Sequence, residues 1–238
     1  MPKARRLALL FDLDGTLVDS IELIINSFEH AFASHTGPAP SREEFATGIG
    51  RPLAAQFAAY CESADQVQLL ISKYREYQLV HHDRLTKPYE GMAEAVVALS
   101  VAGHSLGVVT SKIEALALRA LKHVRFAEHF RVVVGCDATT RHKPDPEPVL
   151  LALERLKMSP ENAIFVGDSP YDMQAGRAAG VTAVGVIWGA FTREVLEDAG
   201  AQHVLERPSE LPGLVERIST LAVVDSPPDS NLLAGPSI

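Results

Sequence analysis

Leu7-Ala8-Leu9-Leu10-Phe11-Asp12-Leu13-Asp14-Gly15-Thr16-Leu17 is the stretch that decides how this chain folds. Its first residues, Leu7 to Phe11, form an unbroken apolar run of strand length. Such runs belong to strands buried on both faces, as in parallel sheets covered by helices on each side. The run stops at two carboxylates separated by one residue, after which Gly15 lets the backbone turn sharply. Open parallel sheets bind ligands at the carboxyl ends of their strands, so Asp12 and Asp14 stand where chemistry is expected. A carboxylate can attack phosphorus to give an acyl-phosphate, and a neighbouring acid can protonate the departing oxygen and then take a proton from water. On this reading Asp12 is the nucleophile and Asp14 the acid/base.

Working outward, similar apolar runs recur at Ser105 to Val109, Arg131 to Val134, Ala163 to Val166 and Thr182 to Ile187, separated by segments of helical periodicity. The alternation predicts α/β architecture with a doubly wound, Rossmann-like parallel sheet. From Ser20 to Leu99 the chain is far longer than a single crossover needs, and it reads as helical over Ile21 to Ser34, Arg51 to Tyr60 and Asp65 to His82. Gly37-Pro38 and Gly48-Ile49-Gly50-Arg51-Pro52 supply the turns. The expected plan is a core made of residues 1–19 and 88–224, a small inserted all-helical cap over 20–87, and a flexible Pro/Ser/Asp/Gly-rich tail over 225–238. The chain re-enters the core through Lys87-Pro88-Tyr89-Glu90-Gly91, a Pro/Gly hinge.

Three other strand ends carry polar residues. Gly167-Asp168-Ser169-Pro170-Tyr171-Asp172 places two carboxylates where oxygen ligands could hold a hard cation. Mg²⁺ shared by Asp12, Asp168 and a phosphate oxygen would reverse the local sign and let an anionic substrate approach. The plainer reading of Asp168 and Asp172, less favoured even when they are taken alone, is capping of the next helix. Thr110 and Ser111, after the second run, offer hydroxyls and amides for a phosphate oxygen or, more plainly, a helix cap. Lys143, between His142 and Pro144, would supply positive charge to a phosphoryl group. Arg51, in its glycine-flanked cap loop, is the candidate for a second anionic group of the substrate. His81-His82-Asp83 reads as a solvated helix end, because adjacent helix residues point apart and rarely share an ion.

The chain's 238 residues, 47% hydrophobic, suffice for a core domain with a smaller appendage. A formal net charge of −8 argues against nucleic acid or anionic membrane as partners and leaves small molecules as the expectation, which the strand-end residues narrow to a small phosphorylated substrate. No stretch approaches a membrane span, so a cytoplasmic protein is expected. The two cysteines, Cys61 and Cys136, have no ligand-like spacing and read as ordinary thiols. Either a monomer or a homodimer fits.

Taken together, Asp12-x-Asp14-Gly15-Thr16, Thr110-Ser111, Lys143-Pro144 and Gly167-Asp168-Ser169-x-x-Asp172 resemble the four motifs of haloacid dehalogenase superfamily hydrolases, in order and over nearly the whole chain. Gly48-Ile49-Gly50-Arg51-Pro52-Leu53, Lys143-Pro144-Asp145-Pro146-Glu147-Pro148 and the run Asp172 to Gly180 are most similar to the phosphoglycolate phosphatase and pyrophosphatase branch. The resemblance implies a Mg²⁺-dependent phosphohydrolase acting through a covalent aspartyl-phosphate. In it Asp12 is the nucleophile, Asp14 the acid/base, Thr110 and Lys143 phosphate ligands, and Asp168 a metal ligand together with Asp12 and the Asp14 backbone carbonyl, supported by Asp172. Dehalogenases lack a carboxylate at the place of Asp14, transport ATPases carry threonine there, and sugar phosphomutases carry a cap histidine where this chain has Ile24. Ser111 stands where many phosphoglycolate phosphatases have asparagine. An alternative of another class is an idle phosphate- or partner-binding module with the same fold, which the intact Asp12/Asp14 pair opposes.

Overall fold

A computed structural model describes residues 5–224. The tail expected at 225–238, like residues 1–4, lies outside the described residues. Strand β1 (Ala8–Phe11) sits near the middle of a six-stranded parallel sheet. The other members are β4 (Ser105–Val109), β5 (Phe130–Val134), β6 (Ala163–Gly167), β7 (Thr182–Val186) and β8 (His203–Leu205), in spatial order β5-β4-β1-β6-β7-β8. The chain winds outward from β1 through β4 to β5, then returns to β1's other edge with β6. The carboxyl ends of β4, β1 and β6 therefore meet at the point where winding reverses, the place where such sheets bind ligands.

The apolar run in β1 is continuous because its two faces feed different cores. Leu7, Leu9 and Phe11 join α5 (Met92–Val101), α6 (Glu114–His123) and α10 (Leu211–Val224) on one side. Ala8 and Leu10 join α7 (Glu147–Leu156) and α8 (Pro170–Ala178) on the other. α9 (Arg193–Asp198) packs Leu196 against Ala183 of β7. Period-two alternation thus survives, with both sides apolar.

Two short strands, β2 (Val18–Asp19) and β3 (Lys87–Pro88), pair antiparallel at the two points where the chain leaves and re-enters the sheet layer. Between them lie α1 (Ile21–Phe32), α2 (Arg42–Ala46), α3 (Leu53–Phe57) and α4 (Ala64–His81). Their shared core is aromatic. Phe28 stacks on Phe45 with centroids 3.5 Å apart and also faces Phe32 and Phe57. α2 was not expected from hydrophobic periodicity. Its signal is a capping box, in which Ser41 accepts from the Glu44 amide and Glu44 reaches back to the Ser41 amide. The helix expected over Arg51 to Tyr60 is shorter, starting at Leu53 and tightening to a 3₁₀ turn over Ala58–Tyr60.

His82 corrects the expectation of a solvated helix end. It is 3% exposed, its Nδ1 lies 2.7 Å from Asp83 Oδ1, and its ring packs edge-on against His123 of α6. Burial holds its pKa below the ordinary histidine value. The Asp83 carboxylate opposes that shift. A charge run at a helix end becomes an anchor here because α4 ends against α6.

Phe28→Ala should cost about 3–5 kcal/mol, the usual range for deleting a fully buried ring. Urea unfolding followed by far-UV dichroism measures this, and a loss under about 1 kcal/mol would mean that the aromatic cluster does not hold the helical layer together.

Candidate active site

Asp12, Thr110 and Asp168 directly follow β1, β4 and β6, whereas Lys143 comes from the loop before α7 and Arg51 from the loop before α3 of the helical layer. Asp12 follows β1 directly, with its amide donating to the Val166 carbonyl of β6 (2.9 Å), so the neighbouring strand fixes where its side chain emerges. Gly15 is required: its φ is +83°, and a Cβ there would collide with the Asp168 carboxylate. The DxDG turn and the end of β6 are thus packed backbone to side chain.

Lys143 is 3% exposed and lies between two carboxylates. Its Nζ donates to Asp12 Oδ1 at 2.9 Å and to Asp172 Oδ1 at 2.6 Å. Asp172 is also the N3 residue of α8, where its Oδ2 accepts from the amide and hydroxyl of Ser169, the N-cap. This one side chain therefore both closes the cap of α8 and pairs with the buried Lys143 ammonium. Asp168 caps nothing. Its Oδ1 accepts from Thr16 Oγ1 (3.1 Å) and its Oδ2 from the Ala190 amide (2.8 Å), while Trp188 Nε1 donates to the Thr16 carbonyl (3.0 Å).

Asp12, Asp168 and Asp172 each bring a carboxylate oxygen within 4.8 Å of the others, and all three are buried. Burial first, and then the Asp12 and Asp172 charges, push the Asp168 carboxyl well above the usual carboxylate range. Burial likewise pushes Asp12 up to about 7, with Asp172 and Asp14 adding to the rise and Lys143 opposing it. For Lys143, burial alone would favour the neutral amine, but the two carboxylates prevail and keep it charged. One ammonium among three crowded carboxylates leaves an excess of negative charge. An all-oxygen donor set with that excess fits a hard divalent cation. The Asp14 carboxylate lies apart from this trio: its Oδ1 accepts from Lys112 Nζ (2.7 Å) and Ser20 Oγ (2.5 Å).

Thr110 is 4% exposed at the end of β4, its hydroxyl accepting from the Lys112 amide. Neither Thr110 nor Ser111 is a helix cap, because α6 begins only at Glu114, after Ile113. The Ser111 hydroxyl donates to the Gly50 carbonyl of the helical layer at 2.5 Å. Gly50 has φ +99°, and its Cα faces Ser169 so closely that a side chain would displace it. These contacts close the helical layer over the strand ends. Beneath it lies a cavity of about 240 Å³ lined by Asp12, Asp14, Thr110, Lys112 and Arg51, with Ile24 in its wall. Sequence reading passed over three contributors. Lys112 adjoins a motif but was given no part. Arg75 lines the cavity from α4, and Thr16 orients Asp168. Thr16 lies inside the quoted turn; nothing local marks Arg75.

The family model for haloacid dehalogenase-like hydrolases matches residues 9–186, and the chain belongs to that family. A provisionally named pyrophosphatase PpaX of Caldanaerobacter subterraneus subsp. tengcongensis is 41% identical over 199 residues, 84% of this chain and 90% of the relative. The pyrophosphatase PpaX of Bacillus velezensis is 38% identical over 211 residues, 89% of this chain and 97% of the relative. Among solved structures, a haloacid dehalogenase-like family hydrolase from Streptococcus pneumoniae superposes with a TM-score of 0.77 at 27% identity, over 88% of this chain and 98% of that one. The protein is accordingly a hydrolase of the phosphatase kind. Among the described residues no helix is long and apolar enough to cross a membrane.

Lys143→Met should destabilise the metal-free protein by about 3–5 kcal/mol, since it leaves buried carboxylates without their counter-charge. Millimolar Mg²⁺ should recover part of the loss. Chemical denaturation with and without Mg²⁺ checks both, and an unchanged midpoint in the variant would refute the assigned role of the buried ammonium.

Proposed function

We propose that the protein is a Mg²⁺-dependent phosphohydrolase that acts on a small phosphorylated metabolite, a phosphoglycolate-type monoester or inorganic pyrophosphate, through a phosphorylated Asp12. The observation that carries this reading is the buried constellation of Asp12, Lys143, Asp172 and Asp168 at the winding reversal. Asp12 and Asp168, with the Asp14 backbone carbonyl, would hold the ion, and Asp172 would back them. A bound divalent ion supplies electrostatic attraction for phosphate oxygens and a positive charge that favours ionised carboxylates.

The chain's own groups support the rest. Lys143 holds Asp12 Oδ1, while Asp12 Oδ2 accepts no hydrogen bond among the described residues and is left to attack. Asp12 must be ionised to do so, which the excess of carboxylates opposes and a cation favours. Thr110 and the amides beside it suit a phosphate oxygen, and Arg51 suits a second anionic group at the cavity wall. Asp14 would protonate the leaving oxygen and then activate water. Ile24 in the cavity wall has no proton to transfer, which favours hydrolysis over a mutase reaction. The relatives' name, pyrophosphatase, supports the diphosphate end of the substrate range.

A panel of phosphorylated metabolites, led by phosphoglycolate and pyrophosphate and scored for released phosphate, should show turnover with Mg²⁺ and none with EDTA. Asp12→Asn, nearly isosteric, should lower kcat by at least about 10³-fold with the fold intact by circular dichroism, the scale on which removing a nucleophile acts. Retained turnover in that variant would eliminate the covalent route. Tight binding of phosphorylated ligands by the wild-type protein without phosphate release would favour the idle-module reading instead.

A further inference from the structure

We infer that Lys112 is a positioning residue that turns the Asp14 carboxyl group toward the cavity when the helical layer is closed; the inference rests on the phosphatase reading above. Lys112 and Asp14 are 98 residues apart in sequence. Their side chains are only 9% and 13% exposed, with Nζ 2.7 Å from Oδ1. This is not a solvated surface pair, in which two mobile chains gain little from meeting. Ser20 Oγ, at the entry to α1, donates to the same oxygen at 2.5 Å. Oδ1 is therefore held by two donors from different parts of the chain. Oδ2 accepts no hydrogen bond among the described residues, although Asp14 lines the cavity.

A carboxyl group free to turn about its terminal torsion presents either oxygen, or neither, to a reacting atom, because that torsion is broad. Fixing one oxygen removes the freedom and holds the other in place, which is how orientation lowers a barrier. Both half-reactions use this geometry. In the first, the bond from Asp12 to phosphorus forms as the ester P–O bond breaks, its electron pair stays on the ester oxygen, and the Asp14 proton goes there. In the second, water attacks phosphorus and gives its proton to Asp14, while the bond to Asp12 breaks and its pair returns to the Asp12 carboxylate.

The loop that carries Lys112 is fastened on two sides. The Lys112 carbonyl accepts from the Cys136 amide, and the neighbouring Ser111 hydroxyl donates to Gly50 of the helical layer. The helical layer thus touches the loop one residue before the lysine that orients Asp14, linking closure to the acid/base.

The test compares two esters under Mg²⁺: p-nitrophenyl phosphate, whose leaving group needs no proton, and an alkyl phosphate, whose leaving group does. kcat/KM reports steps up to the departure of the leaving group. Lys112→Met should lower kcat/KM for the alkyl ester about tenfold or more and for p-nitrophenyl phosphate less than about threefold, since general acid assistance matters where the leaving group is poor. It should lower kcat for both, because the water step uses Asp14 as base. In an Asp14→Asn background the lysine substitution should add no further selective loss, as expected for two residues acting as a unit. Equal kcat/KM losses on both esters, or a full further loss in the Asp14→Asn background, would overturn the positioning role. Should Lys112→Met fail to fold by circular dichroism, Lys112→Gln is read by the same criteria. Phosphate release from neither the esters nor pyrophosphate by the wild-type enzyme would overturn the phosphatase reading itself; release from pyrophosphate alone would leave that reading standing and overturn this inference, which concerns the protonation of an ester oxygen.

Discussion

The structure turns on one buried interaction, the Lys143 ammonium held between Asp12 and Asp172 with Asp168 alongside. Carboxylates crowd together out of water only when something offsets both their lost hydration and their mutual repulsion. Part of the offset is structural: Thr16, Ala190, Ser169 and Lys143 donate hydrogen bonds to these carboxylates. The remainder is negative charge without a protein counter-charge, and it is this surplus that a divalent ion and then a phosphoryl group can use. A site that is electrostatically incomplete in the protein alone is well matched to ligands that complete it.

The sheet delivers these groups to one place. β1 pairs with β4 on one edge and β6 on the other, with Phe11 opposite Val108 and Val166, so Asp12 leaves the sheet at adjoining strand ends one residue ahead of the level of Thr110 and Asp168. Glycines let the loops approach one another, with Gly15 leaving room for Asp168 and Gly50 for Ser169. The helical layer supplies the opposite wall, and its link to the sheet layer through β2 and β3 is a two-strand ribbon. Ser111 to Gly50 is one of several hydrogen bonds between the layers, beside Tyr171 to Thr47 and Arg119 to Leu79, and the neutral ones each contribute about 0.5–1.5 kcal/mol net.

Much of this was legible in the sequence where a local pattern and a long-range consequence coincide. An apolar run that ends in carboxylates specified both a buried parallel strand and the acidic strand end at which Asp12 meets Lys143. β8 was not anticipated, because His203-Val204-Leu205 is a three-residue edge strand, buried mainly at its last residue, with no sustained run to read. For Asp172 the sequence offered a helix cap or a place beside a cation, and its pairing with Lys143 went unread, since spacing alone does not say which partners a carboxylate finds. Lys112 and Arg75 escaped notice for a related reason. A lysine or arginine on a helix or loop looks solvent-bound until the fold brings another segment over it. His82 was misread in the same way, because α6 buries a helix end that its own sequence leaves polar.

Isothermal titration of the metal-free protein with Mg²⁺, alongside Asp168→Asn, bears most directly on the central claim. The account expects one ion per chain in the wild-type protein and no measurable binding in the variant, which keeps the shape of the side chain but loses its charge. Equal Mg²⁺ binding by the two proteins, or none by the wild type, would contradict it.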